Sequence, residues 1–502
     1  MQPRNDVLLE TEADDASGHH EVADAPHPLN QRVFVQAEGP FVEYRRTVGA
    51  NGESVDEEIT YRLDIPWFGW LFRRLIHRQL MRSVLESSRH SWWSPPDRLD
   101  SRQVLLLGLL AAASLSATFT NTLFTQTSTF AADTFGVDQS GLGRGGVAVR
   151  LGIVFALPFT IFADRVGRRK MLVAASWLAP TICALGALAP TFPILVATQA
   201  VGRPIGIAMA VLIGIVVTEE MPRNSRAYAL SLMALSGGLG ASVAVGNLWL
   251  ADLGDNGWRL IYVLALVWLI VAFSLTRRLP ETRRFEATQD RISAGSTQPR
   301  IRWRRFLLIA SVAVLANVFV APASYFQNNY LEDVRGLSGF GITLFTFGTA
   351  TPASVGLLVG GRLADSIGRR QLLAICLPTS SLLLVWSFSV GGPMMWLTAL
   401  VGGFVAGLAY PAFIVYRGEL FPTGNRSRAN GFVTALSLAG SSAGLLLVGE
   451  LVSQNWSYGT AMMVVATGQI LAALIAFCFY PETAHMDLES LNPEDQTVAG
   501  LV

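Results

Sequence analysis

The sequence predicts an all-α integral membrane protein, with twelve transmembrane helices in two six-helix bundles behind a small cytoplasmic N-terminal segment. Three observations carry this prediction. Hydrophobic residues make up 51% of the chain and charged ones only 15%, against about 25% charged in an ordinary soluble chain, and mean hydropathy is +0.40. From Gln103 onward the charges gather in short clusters between long uncharged runs. Motifs in those clusters recur in one register, at offsets of 200 or 201 residues, as an internal duplication requires.

A span needs about 20 mainly apolar residues. By that measure the first bundle, 101–275, holds runs at 103–125, 145–163, 171–189, 194–218, 228–251 and 258–275. The second, 306–480, holds runs at 306–330, 341–360, 371–390, 394–416, 428–451 and 456–480. Arginines crowd the alternate connections, including a basic linker at 276–305, whereas the opposite connections hold little beyond Arg144 and Arg335. The positive-inside rule then puts both termini, and the tail 481–502, in the cytoplasm of a multi-pass plasma-membrane protein.

Ahead of the spans, residues 1–30 are acidic, lack the apolar core of a signal peptide, and are expected to be disordered. The region 31–100 contains alternating runs around Ala50-Asn51-Gly52-Glu53, a hairpin signal. Next, Trp67, Trp70, Leu71, Ile76 and Leu80 share a segment with Arg73, Arg74, Arg78 and Arg82. Such a basic amphipathic helix lies along headgroups or packs on a small soluble domain.

Composition excludes several functions. A net charge of +1 argues against a nucleic-acid partner. Lys170 is the one lysine, which rules out Schiff-base chemistry in the spans. Cys183, Cys376 and Cys478 share no metal-binding spacing, and all six histidines lie outside the apolar runs. No cofactor, metal site or enzyme active site is indicated.

The duplication is read from three motif pairs. ADRVGRR at 163–169 matches ADSIGRR at 364–370, EEMPRNSR matches ELFPTGNR through Glu219/Glu419 and Arg226/Arg426, and Pro280-Glu281-Thr282 matches Pro481-Glu482-Thr483. At these residues the chain resembles the major facilitator superfamily over roughly residues 100–485. The loop motif G-x-L-x-D-R-x-G-R-R stands as GRLADSIGRR from Gly361 to Arg370, with Ser366 for the first arginine, and as TIFADRVGRR in the first half, with Thr160 for the opening glycine. The E-x-x-P-x-x-x-R elements look like those of its sugar and organic-ion branches.

Physically, an aspartate at a helix end can accept bonds from guanidinium groups and from a neighbouring helix N-terminus. The expected conformational latch comprises Asp164, Arg165, Gly167, Arg168, Arg169, Glu219 and Arg226 with Gly361, Asp365, Gly368, Arg369, Arg370, Glu419 and Arg426. Charges and amides inside spans are costly and mark candidate pathway residues. Arg203 lies 16 residues before Glu219, near mid-membrane, one turn beyond Gln199, where the sugar-porter-like pattern places an arginine. Asn121, Gln126, Asn317, Tyr325, Asn328 and Tyr410 complete a candidate substrate cavity, with Pro322 expected to interrupt the seventh helix. Glu450 is the candidate proton carrier.

These features predict a monomeric secondary transporter of a small organic solute working by alternating access, through proton-coupled uptake of a sugar or organic anion. Proton-driven efflux of amphipathic compounds and a non-transporting membrane sensor are the alternatives.

Overall fold

The computed structural model describes residues 20–23, 31–38, 41–51, 54–80, 95–97, 99–137, 139–293, 301–337, 339–493 and 495. Two compact units emerge, Met1–Ala112 and Ala113–Val502.

The first unit contains an antiparallel four-stranded meander: β1 (His20–Ala23), β2 (Gln31–Glu38), β3 (Phe41–Asn51) and β4 (Ser54–Leu63). The hairpin read from alternation is β3–β4, with Asn51 opposite Ser54 across the turn. Two further strands stand beside it, and β1 lies inside the stretch expected to be disordered. Its four residues gain backbone pairing from β2, which composition alone does not register. The amphipathic helix is Gly69–Leu80, and Arg82 lies outside the described residues. Ile76 and Leu80 pack with Phe41, Tyr44, Ile59 and Tyr61 in a small core. Trp70, 75% exposed, and the exposed Leu71 face the other way, so the helix carries a second apolar face beside Arg73 and Arg74.

Twelve helices long and apolar enough to cross a membrane occur among the described residues. The first six are Ser101–Ser128, Arg144–Val166, Arg168–Leu188, Phe192–Glu220, Arg226–Ala251 and Trp258–Arg278. The second six are Trp303–Gln327, Leu344–Ser366, Arg369–Ser387, Gly392–Glu419, Thr423–Ser453 and Tyr458–Phe479. Each coincides with a run found in the sequence. The seventh helix runs unbroken through Pro322, whose ring packs where a Cβ at Gly444 would lie 3.0 Å away.

Each half has its own core, around Phe192, Trp258 and Tyr262 in the first and around Phe319, Phe345 and Met462 in the second. Without a hydrophobic drive between helices in lipid, close backbone approach must supply packing, and small residues permit it. A Cβ at Gly240 in the fifth span would lie 2.2 Å from Leu115 O in the first. At Gly440 in the eleventh it would lie 2.5 Å from Val314 O in the seventh. Between the halves, the second span packs on the eleventh and the fifth on the eighth.

Candidate functional site

The repeated motifs meet at one end of the two halves, and each has a defined job there. Gly167 and Gly368 turn the chain with φ of 120° and 119°, a conformation that side chains rarely adopt. Each turn starts a new span, whose exposed N-terminal amides need acceptors. Glu281 accepts from Arg169 N at 3.1 and 3.2 Å. Its counterpart Glu482 accepts from Arg369 N at 2.9 Å and Arg370 N at 3.1 Å. Burial raises the Glu281 carboxyl above its ordinary value, while these amides pull it back down.

The two aspartates perform the same capping across the halves. Asp164, ending the second span, accepts from Ser427 N at 3.1 Å and Arg428 N at 2.8 Å at the start of the eleventh. Asp365, ending the eighth, accepts from Ala227 N at 3.4 Å and Tyr228 N at 3.0 Å at the start of the fifth. Arg168 stands 3.3 Å from Asp164, and Arg369 stands 2.9 Å from Asp365.

The glutamates then cross. Glu219 takes Arg168 Nη2 at 3.2 Å from its own half and Arg426 Nη1 at 2.8 Å from the other. Glu419 takes Arg369 from its own half and Arg226 Nη1 at 3.0 Å from the other. All of these side chains are at most 2% exposed. Buried ions are tolerated only when paired and hydrogen-bonded, and here each carboxylate has at least two donors. Arg169 reaches back to Leu279 O at 2.6 Å and Arg370 lies over Phe477 at 5.7 Å, so both stay within their own halves. Arg165 is exposed, as is Ser366 at the matching position; the one departure from the motif in the second half therefore falls where the side chain is spare.

Thr160 is accommodated by its partner helix. Gly361 admits Ser231 of the fifth span, its Cβ position lying 2.7 Å from Ser231 Oγ, whereas Thr160 sits against Gly431 of the eleventh, whose Cβ position lies 2.1 Å from Thr160 Oγ1. Small and larger residue have changed sides between the two repeats.

Residues after the twelfth span, which the sequence reading left as a tail, complete this end. Arg369 donates to Thr483 O at 3.0 Å, Arg226 to Met486 O at 3.2 Å, and Asn492 Nδ2 to Glu419 O at 2.7 Å. Asp495 accepts from Thr423 N at 3.0 Å. The PET repeat and the acids after it were the available signal.

Beyond this ion-pair cluster lies a cavity of about 680 Å³, lined by spans one, four and five of the first half and seven, eight, nine, ten and twelve of the second. It begins at Gly214 and Ile414, five residues before Glu219 and Glu419 respectively, and reaches Tyr330 and Phe388 at the far ends of the seventh and ninth spans. Its wall is mainly apolar, and among the described lining residues none is charged.

Tyr410 lines this cavity, but the other candidate ligand residues with described side chains stand off its wall. Gln199 is fully buried and donates to Cys183 O at 3.1 Å, while Asn317 donates to Ala313 O at 2.9 Å and accepts from Ser441 at 3.4 Å. Asn121 lies against Gly206, whose Cβ position is 3.1 Å from its Oδ1. Arg203 is half-buried with its Nε unbonded, Gln126 is half-buried, and Tyr325 is 60% exposed. The Asn328 side chain lies outside the described residues. Polar groups in spans more often bond a neighbouring helix or their own backbone than a ligand. Glu450, the candidate proton carrier, is exposed near the end of the eleventh span, where it accepts from Gln454 Nε2 at 2.9 Å. Gln327, in the polar stretch after Pro322 of the seventh span, and Gln469 also line the cavity; sequence reasoning missed Gln469, which was visible as the one amide in the twelfth span.

Comparison with known proteins supplies a family context. The family model described as Major Facilitator Superfamily matches residues 106–353 and 323–498. The cis,cis-muconate transport protein of Acinetobacter baylyi is 25% identical over 53% of this chain and 66% of its own length. The minor myo-inositol transporter IolF of Bacillus subtilis is 24% identical over 68% of this chain and 82% of its own. Among solved structures, the proton:xylose symporter XylE superposes with a TM-score of 0.68 at 16% identity, covering 78% of this chain and 98% of that one. The human organic anion transporter MFSD10 gives 0.59 at 14%, covering 76% and 100%.

Proposed function

This chain belongs to the major facilitator superfamily, and from that premise we propose that it carries a small organic metabolite across the plasma membrane by alternating access, in the direction of uptake. The carrying observation is the reciprocal exchange of Glu219 with Arg426 and Glu419 with Arg226, directly below a cavity that both halves line. A device that must open and close needs contacts that are strong when made and can all be broken by one rigid-body motion. Four buried ions at a two-fold junction meet that need. The latch end, rich in arginine, faces the cytoplasm in this reading, so the structure corresponds to the state loaded from outside.

Metabolite transport by the relatives supports the solute class. Drive by protons belongs to the same reading. Among the described residues the cavity wall holds no acid, so the proton would ride on a carboxylate outside it, and Glu450 is placed to meet the solution at the end away from the latch. That lack of an acid also favours a second reading, facilitated transport without coupling. Purified protein in liposomes decides between them. Both readings require counterflow of a labelled metabolite, but only coupling makes accumulation follow an imposed pH gradient and fail in Glu450→Gln. Absence of counterflow with sugars, cyclitols and carboxylates alike would contradict both.

A further inference from the structure

Several hydroxyls on the cavity wall already have acceptors. Thr349 donates to Phe345 O at 2.9 Å, Ser380 to Leu377 O at 3.0 Å and Ser387 to Leu384 O at 2.6 Å, all within their own helices. Gln469 differs. It is 4% exposed and lines the cavity, and its Oε1 is buried with no hydrogen-bond partner in the protein. A buried amide oxygen left unpaired is destabilising, and a donor supplied from the cavity removes that cost.

The rest of the wall limits what can bring the donor. Without a charged side chain among its described residues, the wall offers no counter-charge to offset the hydration that a carboxylate or ammonium would lose on entry. Phe319, Phe345, Phe388 and Tyr410 instead present rings to the space, and such faces take C–H groups and other rings.

Resting on the transport reading above, we infer that Gln469 sets substrate specificity by accepting a hydrogen bond from a hydroxyl or amide N–H of an uncharged cyclic solute, so that the cavity selects neutral ligands over carboxylates. The twelfth span thereby contributes a ligand contact. Its neighbour in the role is Gln327 of the seventh, which lines the same cavity.

The test uses the full chain with neutral and anionic probes, myo-inositol and D-xylose against cis,cis-muconate, in calorimetric binding and liposome counterflow. At least one neutral probe should bind. Gln469→Leu, close in shape, should weaken it about tenfold, the loss of one hydrogen bond. Gln469→Asn keeps an uncharged amide acceptor and should recover part of that affinity. Probe analogues methylated at one hydroxyl at a time provide a control independent of mutant folding: one of them should bind wild type as weakly as the parent binds Gln469→Leu, with no further loss in the mutant. Preference of the wild type for muconate, or a neutral probe bound equally by wild type and Gln469→Leu, overturns the inference while leaving transport intact. Binding of the predicted kind without counterflow leaves the inference standing and removes the transport reading.

Discussion

Glu219 Oε1 stands 2.8 Å from Arg426 Nη1, and 200 positions along, Glu419 Oε1 stands 3.0 Å from Arg226 Nη1. Each glutamate is thus bonded to the arginine of the other half's copy of its own motif. The duplication makes the junction symmetric, and it lets one motif serve both sides of it.

Neutralising one glutamate should release the junction. Glu219→Gln leaves Arg168 and Arg426 buried without a full counter-charge, a loss of about 3–5 kcal/mol from the closed latch. In a background without the native cysteines, maleimide labelling of a Ser427→Cys probe, fully buried in the closed state, should accelerate at least tenfold. Labelling at the parental rate would show that the pair does not hold this end shut.

The exchange of small residues between repeats makes a second prediction. Gly431→Ala directs a methyl group to 2.1 Å from Thr160 Oγ1 and should cost about 1–3 kcal/mol through overpacking. Adding Thr160→Gly should recover most of the loss, because the pair then matches Gly361 with Ser231. Melting temperatures of the two single variants and the double form a cycle; simple additivity would mean that the two residues do not meet.

The C-terminal segment should dock in a pH-dependent way. Burial raises the Asp495 carboxyl above its ordinary value, with Glu219 adding to the rise, while Arg426 at 3.8 Å and the bonds from Thr423 oppose it. The docked segment therefore holds a proton more tightly than the undocked one, so docking strengthens as pH falls through the raised value and weakens as the carboxyl ionises above it. Hydrogen exchange at Leu488–Asn492, corrected for intrinsic rates, should show that slope in wild type and lose it in Asp495→Asn. An equal slope in both would assign it to another group.

Much of this was legible in the sequence, because a lipid environment leaves few choices. Span positions follow from apolar length, and the latch acids and arginines follow from motifs repeated at offsets of 200 and 201. The partner of each glutamate was not legible: Arg168, Arg226 and Arg426 are equivalent in composition, and only the packing of the second span on the eleventh and the fifth on the eighth selects between them. Cavity residues were less legible still. Gln199 and Asn317 look like ligands along the chain but stand off the cavity wall, their amide N–H groups bonded to Cys183 O and Ala313 O. Gln469 looks like one polar residue in an apolar helix, yet it lines the cavity with its oxygen free.

The central claim is that the latch must open for solute to cross, and a reversible crosslink tests it most directly. A Cβ at Gly361 would lie 3.0 Å from Ser231 Cβ, near the span of a disulfide, about 3.5–4.5 Å. In a background without native cysteines, Ser231→Cys with Gly361→Cys should crosslink the fifth span to the eighth on oxidation. Counterflow in liposomes should then stop and return on reduction, with ligand binding from the cavity side kept throughout. Counterflow continuing at the reduced rate in fully crosslinked protein would contradict alternating access through this latch.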